Sequence, residues 1–83
     1  MARFLFFSRV REKIGQAHME ISLPQEVSTV TEMLAFLQQQ GDLFADALTG
    51  THLRVAINQV YARPDDPVQN GDEIAIFPPV SGG

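Results

Sequence analysis

Hydrophobic and polar positions change their period along this chain, and the changes mark its elements. A phenylalanine-rich stretch from Arg3 to Arg9 predicts a first strand, because aromatic side chains suit a pleated, half-buried surface. Ala17, Met19, Ile21 and Leu23 then alternate with His18, Glu20 and Ser22, the period of a second strand with one face buried. The segment between them, Val10 to Gln16, is longer than a tight turn and has room for one helical turn ended by Gly15. The two strands are expected to form a hairpin, with the charges of the connection facing solvent or a partner.

Pro24 closes the second strand, and Thr29-Val30-Thr31-Glu32 has the spacing of a capping box. Val30, Met33, Leu34 and Leu37 follow at i, i+3, i+4 and i+7, which predicts a helix with one apolar stripe, stopped where Gln38-Gln39-Gln40 meets Gly41. Leu43, Phe44, Ala47 and Leu48 predict a second, brief helix before Gly50. Leu53 to Ile57 reads as a strand, Asn58-Gln59 as a tight connection, and Val60-Tyr61-Ala62 as a short strand. Turn signals at Pro64-Asp65-Asp66-Pro67 and Asn70-Gly71-Asp72 lead into a last strand, Glu73 to Phe77, which Pro78 ends. The order β, β, α, short α, β, short β, β predicts one α+β unit with a helix packed on one sheet face.

Composition narrows the function. Eighty-three residues make one small domain. No apolar run approaches the roughly 18 residues of a membrane span, and Met1 to Phe7 is too short for a signal peptide, so a cytoplasmic location is expected. A net charge of −4 without a basic stripe argues against nucleic-acid binding and for basic protein partners. Cysteine is absent, which removes disulfides, thiolate metal sites and any nucleophilic thiol. His18 and His52 have no further ligand at metal spacing, and Asp65-Asp66 and Asp72-Glu73 read as turn chemistry, so no metal site is expected. With no phosphate-cradling loop and no nucleophile paired with a base, the domain is expected to catalyse nothing alone.

The chemistry concentrates at the end, Phe77-Pro78-Pro79-Val80-Ser81-Gly82-Gly83. Without a Cβ, Gly82-Gly83 fits a slot closed to other residues. The proline pair holds the chain extended, and four residues from Val80 reach at most about 14 Å. This divides the chain into a folded body, 1–79, and a reactive tail, 80–83. Phe7, Tyr61 and Phe77 lie near element ends and are candidates for an exposed aromatic patch that anchors a partner.

Three stretches together resemble the small subunit of molybdopterin synthase: Leu5-Phe6-Phe7-Ser8-Arg9-Val10-Arg11-Glu12-Lys13-Ile14-Gly15, Val55-Ala56-Ile57-Asn58-Gln59, and Asn70 to Gly83 with its Phe-Pro-Pro-Val-Ser-Gly-Gly close. Gln16 to Thr51 resembles that family in pattern only. The resemblance implies a ubiquitin-like β-grasp fold, a mixed sheet with a helix across one face and a flexible C-terminal tail. It also implies a sulfur carrier with no permanently bound cofactor. An adenylyltransferase resembling ubiquitin-activating enzymes would use ATP and magnesium to adenylate Gly83, and a sulfur donor would convert it to a thiocarboxylate. The large subunit would then take that sulfur for cyclic pyranopterin monophosphate, in an assembly where two carriers flank a dimer of large subunits. By the same resemblance Gly83 is the modified residue, Gly82 its slot-fitting neighbour, and Arg11, Tyr61 and Phe77 interface residues, while the tail's reach adds Val80 and Ser81 to the inserted segment and Phe7, Pro78 and Pro79 are expected to join the partner-binding surface. Tyr61 stands where an aliphatic side chain is expected, and Ser81 where threonine is frequent. Alternatives are a Gly-Gly sulfur carrier for thiamine or amino-acid biosynthesis, or a ubiquitin-like interaction module.

Overall fold

The first strand is shorter than its aromatic run suggests. In the computed structural model, which describes residues 1–49 and 52–79, β1 spans Ala2–Phe6 and the chain turns at once into α1, Ser8–Ile14. Phe7 is the extended N-cap, and Ser8 makes the corner in the left-handed region at φ 52°. Val10 and Ile14, four residues apart, are both buried, so the connection forms about two helical turns instead of one. Gly15, at φ 87°, ends α1 by donating its N–H to the Arg11 carbonyl over 2.8 Å. That left-handed cap is the one expected of Gly15.

β2 covers only His18–Ile21, pairing antiparallel with β1 from Leu5↔His18 to Ala2↔Ile21. Ala17 and Leu23, read as part of the alternation, fall outside it: Ala17 is exposed, and Leu23 is buried by another route. The Asn70 side chain takes the place of a neighbouring strand there, accepting from the Leu23 N–H at 2.9 Å and donating to its carbonyl at 3.1 Å.

α2 spans Val30–Gln38 and starts on the predicted capping box. The Glu32 N–H donates to Thr29 Oγ1, and the Thr29 N–H donates to Glu32 Oε1, each over 3.2 Å. Val30, Met33 and Leu37 are buried as the stripe requires, with Leu34 half-buried. The helix stops on Gln39, and Gly41 serves instead as N-cap of α3, Asp42–Leu48. α3 buries Ala47 and Leu48 and half-buries Phe44, but Leu43 points outward, 60% exposed, because α3 lies against α1 and α2 along one side only.

β3 (Arg54–Ile57), β4 (Val60–Ala62) and β5 (Glu73–Phe77) complete a five-stranded sheet in the order β2-β1-β5-β3-β4. β1 and β5 run parallel and the other neighbours antiparallel, so the sheet is mixed. Phe4, Phe6, Val55, Ile74 and Ile76 are buried on the face the helices cover. Helices and sheet thus share one core, which leaves the other sheet face open. Among the described residues no helix is long and apolar enough to cross a membrane.

Candidate functional site

Alternation along β5 builds the open face. Ile74 and Ile76 point into the core, so Ala75 and Phe77 point out. Register then aligns partners on the same side: Ala56 sits opposite Ala75 and Tyr61, Leu5 opposite Ala75, and Arg54 opposite Phe77. The two alanines make a low floor between Leu5 and the exposed Tyr61.

Phe77 is the hub of the aromatic patch. Its ring centroid lies 6.0 Å from that of Tyr61 with planes inclined by 53°, and 6.5 Å from that of Phe7 at 83°. Both separations fall within the attractive range for aromatic pairs, and the Phe7 pair is edge-to-face. The Phe7 N–H donates to the Ile76 carbonyl at 3.2 Å, which fixes the end of β1 beside the end of β5. Tyr61 is 74% exposed and Phe7 45%, an unusual investment of aromatic area in solvent. The three aromatic residues expected to be exposed therefore form one cluster at the end of the sheet where the chain leaves β5, but only Phe7 and Tyr61 are exposed, Phe77 being half-buried between them.

Pro78 is half-buried and Pro79 exposed. They border a hollow of about 410 Å³ between α1 and α3, together with Val10, Ala47, Leu53 and Arg9. Lys13 Nζ approaches Asp46 Oδ2 at 3.4 Å across it. Both side chains are well exposed, so this pair is worth less than about 1 kcal/mol. Arg11 is exposed on α1, apart from the ion pair of Lys13. Val80, Ser81, Gly82 and Gly83 lie outside the described residues.

The acidic turns do local work. Asp66 Oδ2 accepts from the Arg63 N–H at 2.8 Å, and Asp72 Oδ2 accepts from the Gln69 N–H at 3.0 Å. His18 and His52 are exposed, and among the described residues no three His, Cys, Asp or Glu side chains converge to hold a metal. Sequence reasoning missed the floor of Leu5, Ala56 and Ala75. The period of two in β3 and β5 carried part of that signal, but strand register supplied the rest.

The model of the ThiS family matches residues 4–83. The molybdopterin synthase sulfur carrier subunit of Haemophilus influenzae is 45% identical over 83 residues, and that of Escherichia coli 39%, in both cases across the whole of each chain. Among solved structures, a Pyrococcus furiosus protein described as molybdopterin converting factor subunit 1 superposes with a TM-score of 0.78 at 23% identity, covering 95% of this chain and 97% of that one. A complex of subunits 1 and 2 of the molybdopterin-converting factor from Helicobacter pylori gives 0.64 at 23% identity, covering 99% and 97%. These likenesses, with the mixed sheet and its crossing helix, establish the ubiquitin-like β-grasp fold. The chain belongs to the ThiS family and, within it, groups with the molybdopterin synthase sulfur carrier subunits.

Proposed function

We propose that this chain is the sulfur-carrier subunit of a molybdopterin synthase and works through the Gly83 carboxylate. The observation that carries this reading is full-length identity of 45% and 39% to proteins named for that role. Those names favour the molybdopterin branch over thiazole or amino-acid biosynthesis. The absence of cysteine agrees with it, since the carried sulfur needs no side-chain thiol.

A carboxylate is a poor acyl donor until one oxygen becomes part of a leaving group. In the proposed cycle a Gly83 carboxylate oxygen attacks the α-phosphorus of magnesium-bound ATP on an activating enzyme, and pyrophosphate leaves. A donor's persulfide sulfur then attacks the acyl carbon and AMP leaves, giving an acyl disulfide, and a thiol attacks the donor-side sulfur, so that the thiocarboxylate departs and a disulfide remains on the donor side. The thiocarboxylate sulfur next attacks a carbon of cyclic pyranopterin monophosphate within the large subunit and displaces the oxygen that carbon carries, and water cleaves the resulting acyl–sulfur bond, which leaves the sulfur on the pterin and regenerates the carboxylate. The Helicobacter pylori complex of subunits 1 and 2 supports a large-subunit partner. The Phe7, Tyr61 and Phe77 cluster is the surface we assign to it, with Arg11, Pro78 and Pro79 at the margin and Val80 to Gly82 entering the partner. The setting we infer is the cytoplasm, where ATP and the pterin precursor are available.

Intact-protein mass spectrometry tests the cycle. Incubation with a family-matched activating enzyme, ATP, magnesium and a sulfur donor should add roughly 16 Da at Gly83, sulfur replacing oxygen, and the large subunit with pyranopterin should remove it. No gain with a competent activating enzyme would refute the carrier assignment.

A further inference from the structure

β4, three residues long, is the outer strand on its side of the sheet, and among the described residues no further strand pairs with its outer edge. Val60-Tyr61-Ala62 contains neither proline nor charge, and Val60 and Tyr61 are 68% and 74% exposed. Edge strands of soluble proteins are commonly blunted by such residues, so a bare one is open to pairing. Asn58 and Gln59, at φ 51° and 71°, close the hairpin as a two-residue turn that pairs Ile57 with Val60. Ile57↔Val60 and Val55↔Ala62 are then the pairs that exchange main-chain bonds, which leaves the N–H and C=O of Tyr61 directed outward.

Past β4 the chain is drawn off the sheet. The Thr31 N–H and hydroxyl both donate to the Pro64 carbonyl at 3.0 Å, tying that turn to the start of α2. A groove of about 940 Å³ opens between α2 and the sheet edge, with Leu34, Ala35, Leu53 and Ala62 among its walls. Among the described residues Arg54 is the one formally charged residue in its lining, and none of the chain's ten carboxylate side chains lines it. An acidic protein thus presents an apolar groove with a positive mark.

We propose that this groove receives a short extended segment of a partner protein, added as a strand to β4, with aliphatic side chains toward α2 and a carboxylate toward Arg54. Strand addition takes affinity from main-chain hydrogen bonds and specificity from pockets for alternate side chains, and β4 and the groove supply one of each. A second copy of this chain is the poorer fit, because its β4 carries no carboxylate and is followed by Arg63. The site extends beyond the aromatic cluster, meeting it only at Tyr61 and Phe77.

Selection of a phage-displayed library of random linear peptides on the full-length chain tests the proposal without any sulfur transfer. Enriched peptides should carry an aliphatic run beside Asp or Glu, and a synthetic copy should slow hydrogen exchange at the Tyr61 amide. Ala35→Arg, on an exposed helix position, should weaken that peptide at least about tenfold, and Arg54→Glu should turn the selected preference from acidic to basic residues. The proposal is overturned by a library that yields no enrichment. It is equally overturned by peptides indifferent to both substitutions, by perturbation confined to the Phe7 side, or by β4-to-β4 dimers that exclude peptide.

Discussion

Ser8 carries a local backbone conflict. It is a residue with a Cβ at φ 52°, where L-residues other than glycine are disfavoured by roughly 1–2 kcal/mol. Ser8→Gly removes that clash but loosens the unfolded chain, so a net gain of up to about 1 kcal/mol is expected. A chemical-denaturation midpoint that fell instead would show that the serine hydroxyl supports the corner. Glu32 makes a second prediction at this scale. Hydrogen bonds from the Ser28 backbone and hydroxyl, and then from Thr29, hold its carboxyl below the ordinary glutamate value. A lowered folded pKa gives stability that is full above the unfolded value and is lost as pH falls through the folded one. Melting temperature should therefore drop on acidification below the ordinary glutamate range, and Glu32→Gln should flatten that part of the curve. An unchanged acid limb would remove the capping carboxylate from the explanation.

Elements were legible in the sequence where their causes are local. The α2 start could be read because the Thr29 and Glu32 partners lie within one helical turn. α1 was underestimated because what stabilises it is distant: Val10 and Ile14 gain their burial from α3 and β5, and a short isolated helix of this kind is marginal in water. The same reason hid the end of β2. Nothing near Leu23 foretells that Asn70, 47 residues away, will satisfy both of its main-chain groups. Asn70→Ala leaves those part-buried groups without their partner, which should cost about 1–3 kcal/mol. For a domain of this size each kcal/mol shifts the melting temperature by about 4–8 °C, well within calorimetric resolution. A smaller change would mean that water replaces the amide there.

At the scale of the whole molecule, strand pairing gathers the aromatic cluster where the chain leaves β5. Phe7 and Phe77 stand far apart in sequence, and only the parallel β1–β5 pairing brings their rings together, so the two could be singled out in the sequence but the shape of their cluster could not. Tyr61 reaches the same cluster through two further strand pairings, β5 to β3 and β3 to β4. This arrangement makes a crossed experiment informative. Tyr61→Ala removes an exposed side chain that contributes little to the core, so thermal stability should hold while large-subunit affinity falls by at least about tenfold, as for an aromatic interface anchor. Deletion of Gly83 should do the reverse, leaving most of the affinity of the folded body in place and abolishing the mass gain and sulfur transfer. If the deletion weakened binding as severely as Tyr61→Ala, the tail would be an anchor as well as a reagent. If Tyr61→Ala bound normally, the aromatic cluster would not be the surface the large subunit uses.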